Sequence, residues 1–118
     1  MANNDEVRRV TLRDQTFGAD RRLLWAVLTE AGDLRIEGQD LGPGVEEIFG
    51  EGKSEYEWDV VVRASDVPSA IVALGGAPGD DVLTLLSRRY SGFDASEIEP
   101  RLKASGVPIQ FWNRIGDH

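Results

Sequence analysis

The apolar positions of this chain change their period once, near residue 64. Before that point they alternate or run together as strands do. Beyond it they recur at helical spacing until the last ten residues. Val7 to Arg13 alternates and predicts a first strand, and Phe17-Gly18-Ala19-Asp20 reads as a turn. Leu23 to Leu28 is apolar on both faces, as a central strand is. Glu30-Ala31-Gly32-Asp33 predicts a hairpin turn into Leu34-Arg35-Ile36-Glu37, which alternates as a half-buried strand. Gly38 to Gly52 is rich in glycine and acid and reads as a loop, with one helical turn at Val45 to Phe49. Glu55 to Val62 is the clearest strand, its acids pointing one way and its aromatics the other.

The helical part opens at Asp66, a capping residue type. Val67, Ala70, Ile71 and Leu74 then follow on one face, and Pro68 suits the first turn. Gly75 to Gly79 breaks this helix. Asp80 is the expected cap of a second helix, whose stripe is Val82, Leu83, Leu85, Leu86 and Tyr90. Ser96 and Glu99 have capping-box spacing for a third helix running to Ala104, although Pro100 fits it poorly unless it starts later. Gly106 is its stop, and Pro108 to Ile115 reads as a last strand.

Strands and helices are thus segregated. The expected fold is α+β, a mainly antiparallel sheet of four to five strands with two or three helices packed on one face. The expected core is Val27, Ile36, Val60, Val62, Ile71, Leu74, Leu83, Leu86 and Phe111. Trp25, Trp58 and Trp112 are large aromatics in strands, for which core packing is the default. Trp112 is the exception, because it is out of phase with Ile109, Phe111 and Ile115. The bare sheet face is where a partner is expected.

Length agrees with a single domain, taken as 7–118, after an acidic tail at 1–6 that lacks the basic and apolar regions of a signal peptide. That tail gives the expectation of a cytoplasmic protein, the lack of a long apolar run keeps it from membranes, and the excess of arginine over lysine, with the Ala, Gly and Val content, suggests a bacterial source. There is no cysteine, and the one histidine is the terminal His118. Thiolate nucleophiles, cysteine zinc sites and histidine dyads are therefore missing from the inventory, and the expectation is a non-enzyme without a cofactor.

The net charge of −8 disfavours nucleic acid and attracts basic surfaces. Arg8, Arg9, Arg13, Arg21 and Arg22 form no recognised nucleic-acid motif and are better explained by pairing with the chain's own acids. Gly75-Gly76-Ala77-Pro78-Gly79 lacks the lysine of a phosphate loop, and Asp80 and Asp81 would repel a phosphate.

Glu55, Glu57 and Asp59 share one strand face at spacings of about 7 Å. Such a cluster serves a basic partner, ligates a hard cation, or is a solvated face balanced by Arg35 or Arg63 across strands. With Glu37, Asp40, Glu46, Glu47 and Trp112 these residues make up the expected partner-binding surface. The loop holding several of them lacks the ligand spacing of a calcium-binding hand, and no metal site is expected.

The stretch Leu34-Arg35-Ile36-Glu37-Gly38-Gln39-Asp40-Leu41-Gly42, followed by Glu55-Tyr56-Glu57-Trp58, resembles a family of small bacterial proteins, some of them similar to immunity proteins of toxin systems. The resemblance spans roughly Leu24 to Leu86 and brings no catalytic residue with it. It implies a compact partner-binding protein, and the leading reading is a protein-binding module, an immunity-type inhibitor whose acidic face meets a basic protein such as a toxin. Two other readings stand beside it. One is a small-molecule or metal-dependent enzyme using Glu55, Glu57 and Asp59. The other is a domain that forms a homodimer through its sheet.

Overall fold

A computed structural model describes residues 5–117. Five strands form one antiparallel sheet in the order of the chain. They are β1 (Glu6–Phe17), β2 (Asp20–Thr29), β3 (Leu34–Leu41), β4 (Lys53–Val62) and β5 (Gln110–Asp117). Helix α1 (Pro43–Phe49) links β3 to β4. Helices α2 (Val67–Ala73), α3 (Val82–Arg89) and α4 (Ile98–Ala104) fill the span between β4 and β5. The α+β expectation and the antiparallel sheet are what the structure shows. No helix among the described residues is long and apolar enough to cross a membrane.

Each neighbouring strand pair is antiparallel, and register partners share a face. One face therefore carries Ala26, Ile36 and Val60 in a row, with Leu34 and Val62 in the next. These residues meet Ala70, Ile71 and Leu74 of the α2 segment, the α3 stripe, and Ile98 and Leu102 of α4 in a single core. The predicted α3 stripe is present in full, with Leu83 and Leu86 wholly buried. Tyr90 donates its hydroxyl proton to the Leu74 carbonyl at 2.8 Å, tying α3 to α2. Arg8 of β1 grips Asp81 with two bonds of 2.8 and 2.9 Å. That guanidinium holds the Asp81 carboxyl far below the usual carboxylate range, so α3 is pinned to the sheet edge.

Several expectations are corrected. The loop read over Gly38 to Gly52 is mostly ordered, since β3 continues to Leu41 and α1 fills the middle. Gly38 is there because the Trp58 ring lies on it: a Cβ at Gly38 would come within 2.2 Å of that ring. The glycine marks a close approach inside a sheet and not a turn. Phe49, Tyr56 and Trp58 then stack, with centroids 4.9 and 5.3 Å apart, which places α1 on the same face as the other helices.

The N-cap of α3 is Asp81, not Asp80, whose carboxylate instead accepts from the Ala77 amide. Asp66 precedes α2 without a side-chain capping bond. Ser96 caps nothing either: it donates to the Phe93 carbonyl within a 3-10 segment at Gly92–Glu97, and α4 begins only at Ile98. Phe111 is not core. It is 54% exposed, because β5 is an edge strand beyond the cover of the helices. Of the expected tail, Met1 to Asn4 lie outside the described residues, as does His118. Glu6 opens β1, and Asp5 is paired with Arg35 at 3.1 Å.

Leu86→Ala tests the packing directly. The side chain is fully buried among α3, the sheet and its helical neighbours. Its truncation should cost about 2–5 kcal/mol in a denaturant titration. A loss under about 0.5 kcal/mol, the size of an ordinary surface change, would mean that the stripe does not face the sheet.

Candidate functional site

The sheet face opposite the helices is built from the odd-numbered residues of β2, β3 and β4 and the even-numbered ones of β5. Trp25 pairs with Glu37, Glu37 with Asp59, and Asp59 with Trp112. Four side chains thus stand in one row across four strands, about 14 Å from end to end at normal strand spacing. Two indoles are the ends and two carboxylates are the middle. The adjoining row is Leu23, Gln39, Glu57 and Arg114, and Glu55 stands one step further along.

These rows line a cavity of about 240 Å³, whose walls are Trp25, Trp112, Glu37, Gln39, Glu57, Asp59, Gly38 and Arg9. Arg9 comes from β1 and lies 5.3 Å from the centre of the Trp25 ring, a cation–π distance. The same guanidinium bonds Glu6 at 2.6 Å and Glu37 at 3.2 Å. Arg35, buried on the same face, takes the other oxygen of Glu37 at 3.1 Å. Glu37 is therefore neutralised twice.

The remaining acids are treated unequally. Arg114 approaches Glu57 at 3.4 Å and Glu55 at 3.8 Å, and Gln39 donates to Glu55 at 3.0 Å. A hydrogen bond with Glu55 raises the proton affinity of Glu57, since two neighbouring carboxylates bond only by sharing a proton. Asp59 has neither a hydrogen bond nor an ion pair among the described residues. Burial, and then the charge of Glu37, push its carboxyl above the ordinary range, with Arg35 offsetting part of this. The cavity thus holds an acid without a side-chain partner among the described residues.

Of the residues read from the sequence as a partner surface, Glu37, Glu57, Asp59 and Trp112 converge on this cavity, and Glu55 flanks it. Asp40 does not join them. It pairs in register with Arg22 and Tyr56 on the helix side, where burial raises its carboxyl. Glu46 and Glu47 are exposed on α1, and Glu46 accepts from the Gly52 amide at 3.0 Å. Arg114 pairs with Glu55 and Glu57, and Arg35 reaches Asp59 only through its charge.

Trp25, Gln39 and Arg9 were not read as site residues. The signal for Trp25 was its place in β2: its neighbours Leu24 and Ala26 are core, so it faces the other way. Trp58 does pack against the core.

A second cavity of about 300 Å³ lies on the helix side, between Leu24, Ile36, Trp58 and Val60 of the sheet and Ala95 to Pro100 above. Its polar groups are already engaged. Arg13 donates to the Gly92 carbonyl and Glu99 holds Lys103 at 2.9 Å. Of these two cavities, the one on the open face holds a carboxylate, Asp59, without a side-chain partner among the described residues. Among the described residues, no three His, Cys, Asp or Glu side chains group as metal ligands would.

The raised carboxyl of Asp59 fixes the sign of a pH effect. A proton binds more tightly there in the folded state than in the unfolded one. The folded state is therefore favoured below the ordinary aspartate value of 3.8, and that advantage is lost as pH rises through the folded value. Asp59→Asn removes the buried charge in nearly the same shape. Its melting temperature should exceed that of the parent at pH 7, and the gap should close on acidification toward pH 3. A variant less stable than the parent at pH 7 would show that the Asp59 carboxylate holds the fold together.

In comparisons with protein-family models, with curated proteins and with solved structures, nothing matches this chain.

Proposed function

We propose that this chain is a protein-binding module whose open sheet face receives a cationic side chain from a basic partner. The observation that carries the reading is the row Trp25–Glu37–Asp59–Trp112, in which Asp59, without a side-chain partner among the described residues, stands beside Trp112 in a row that ends in two indoles. Indole faces attract cations, and a half-buried carboxylate regains a partner when a guanidinium or ammonium enters. An arginine suits such a slot best. Its planar group stacks on an indole while its N–H fork meets a carboxylate. Net charge acts in the same direction. At −8 the molecule sets up a field that draws basic proteins toward it before contact. An inhibitor that shields a cell from a basic toxin would use this combination of steering and anchoring.

A hexa-arginine peptide is a sufficient probe. It should quench the tryptophan fluorescence of the parent protein and bind more weakly as salt rises. Asp59→Asn should weaken binding by about tenfold or more, in keeping with a charge-assisted bond. Trp112→Ala should cost on the order of 2 kcal/mol as an anchor. Glu47→Gln, on the exposed side of α1, should leave affinity nearly unchanged. Equal losses from Glu47→Gln and Asp59→Asn would reduce the effect to net charge and overturn the site.

A further inference from the structure

The two edges of the sheet differ in kind. The β1 edge carries Arg8, Arg9, Arg13 and Asp14, and is fastened by the Arg8–Asp81 and Arg21–Asp14 pairs. Charges of this sort keep an edge from pairing with another chain. On β5 the charges are Arg114, which is drawn back onto Glu57 and Glu55 of β4, and Asp117 at the strand's end. Phe111, Trp112 and Ile115 are respectively 54, 39 and 42% exposed on a single strand, and β4 is the one element that packs extensively against it.

We propose that β5 pairs with β5 of a second copy of this chain, antiparallel about Asn113, to give a continuous ten-stranded sheet. The strand is self-complementary in that register. With Asn113 opposite its own copy, Phe111 faces Ile115 of the second copy, and Ile115 faces its Phe111. On the other face Trp112 meets the second copy's Arg114, and Arg114 meets its Trp112. Antiparallel register places each pair with Cβ atoms about 5 Å apart. The first pairing covers two exposed apolar side chains on the helix side, and the second sets a guanidinium against an indole on the open side. Because two-fold pairing uses one patch on both copies, it closes as a dimer and leaves the charged β1 edges outermost. It also brings the second copy's Arg114 to the Trp112 wall of the open-face cavity. The proposal stands without the cation-binding reading, and salt separates the two. Each copy carries −8, so screening should strengthen self-association while it weakens capture of a basic partner.

Sedimentation equilibrium on the full chain, at low and high salt, should show a monomer–dimer equilibrium with a dissociation constant on the order of tens of micromolar. It should tighten with salt, and Ile115→Lys should weaken it at least about tenfold by placing a charge in the apolar pair. Single cysteines fix the register even if that variant folds poorly, because the parent has no cysteine. Asn113→Cys should form a disulfide-linked dimer under mild oxidation, whereas Gln110→Cys, opposite the second copy's Gly116, should not. A protein that stays monomeric at millimolar concentration in high salt would overturn the proposal. So would equal cross-linking by Gln110→Cys and Asn113→Cys, or a β5 edge that pairs only with a foreign strand.

Discussion

The contact between the Trp58 ring and Gly38 governs the arrangement of everything else. Only glycine permits an indole to lie flat on a neighbouring strand, and this pairing sets β3 against β4 in one register. A strand alternates its side chains, so one fixed pair decides the direction of all the others. With Trp58 turned toward the helices, Tyr56 and Val60 follow it inward. Glu55, Glu57 and Asp59 must then face outward. The stack from Trp58 through Tyr56 to Phe49 carries the constraint on to α1. The composition of the open face follows from how the core is closed.

Much of this was legible in the sequence. The change of period gave the α+β order, and the α3 stripe appears residue for residue in the core. The alternation of β4 put its acids on the bare face, where they stand. What could not be read was register. A four-residue turn at Glu30 to Asp33 would pair Thr29 with Leu34 and put Trp25 across from Gly38. The observed turn takes in Thr29 as well, pairs Leu28 with Leu34, and moves Trp25 opposite Glu37. One residue of slip turns a strand over, so the two-tryptophan row was beyond reach of periodicity alone. Gly38 misled for a related reason. Local composition cannot distinguish a glycine that turns the chain from one that makes room for a distant ring. Phe111 failed because an apolar phase shows which face a residue takes, and not whether any helix reaches far enough to cover it.

The open face also shows how cost is distributed. Most of its charges are matched in place: Glu37 by Arg9 and Arg35, Glu57 and Glu55 by Arg114. Such pairs add little stability where they are exposed, but they hold the walls of the cavity in position. Asp59 is left out of these pairings, and a half-buried carboxylate without a partner among the described residues opposes folding. A residue that costs stability and stands in the row between Trp25 and Trp112 suits the proposed recognition site, since binding would relieve a strain already present.

The most direct measurement follows the Asp59 carboxyl itself, by carbon NMR across an acid titration, with and without the hexa-arginine peptide. In the free protein its midpoint should lie above the ordinary aspartate value of 3.8. With peptide bound it should fall, because a guanidinium favours the charged form. A midpoint at or below the ordinary value in the free protein, unmoved by saturating peptide, would contradict the account.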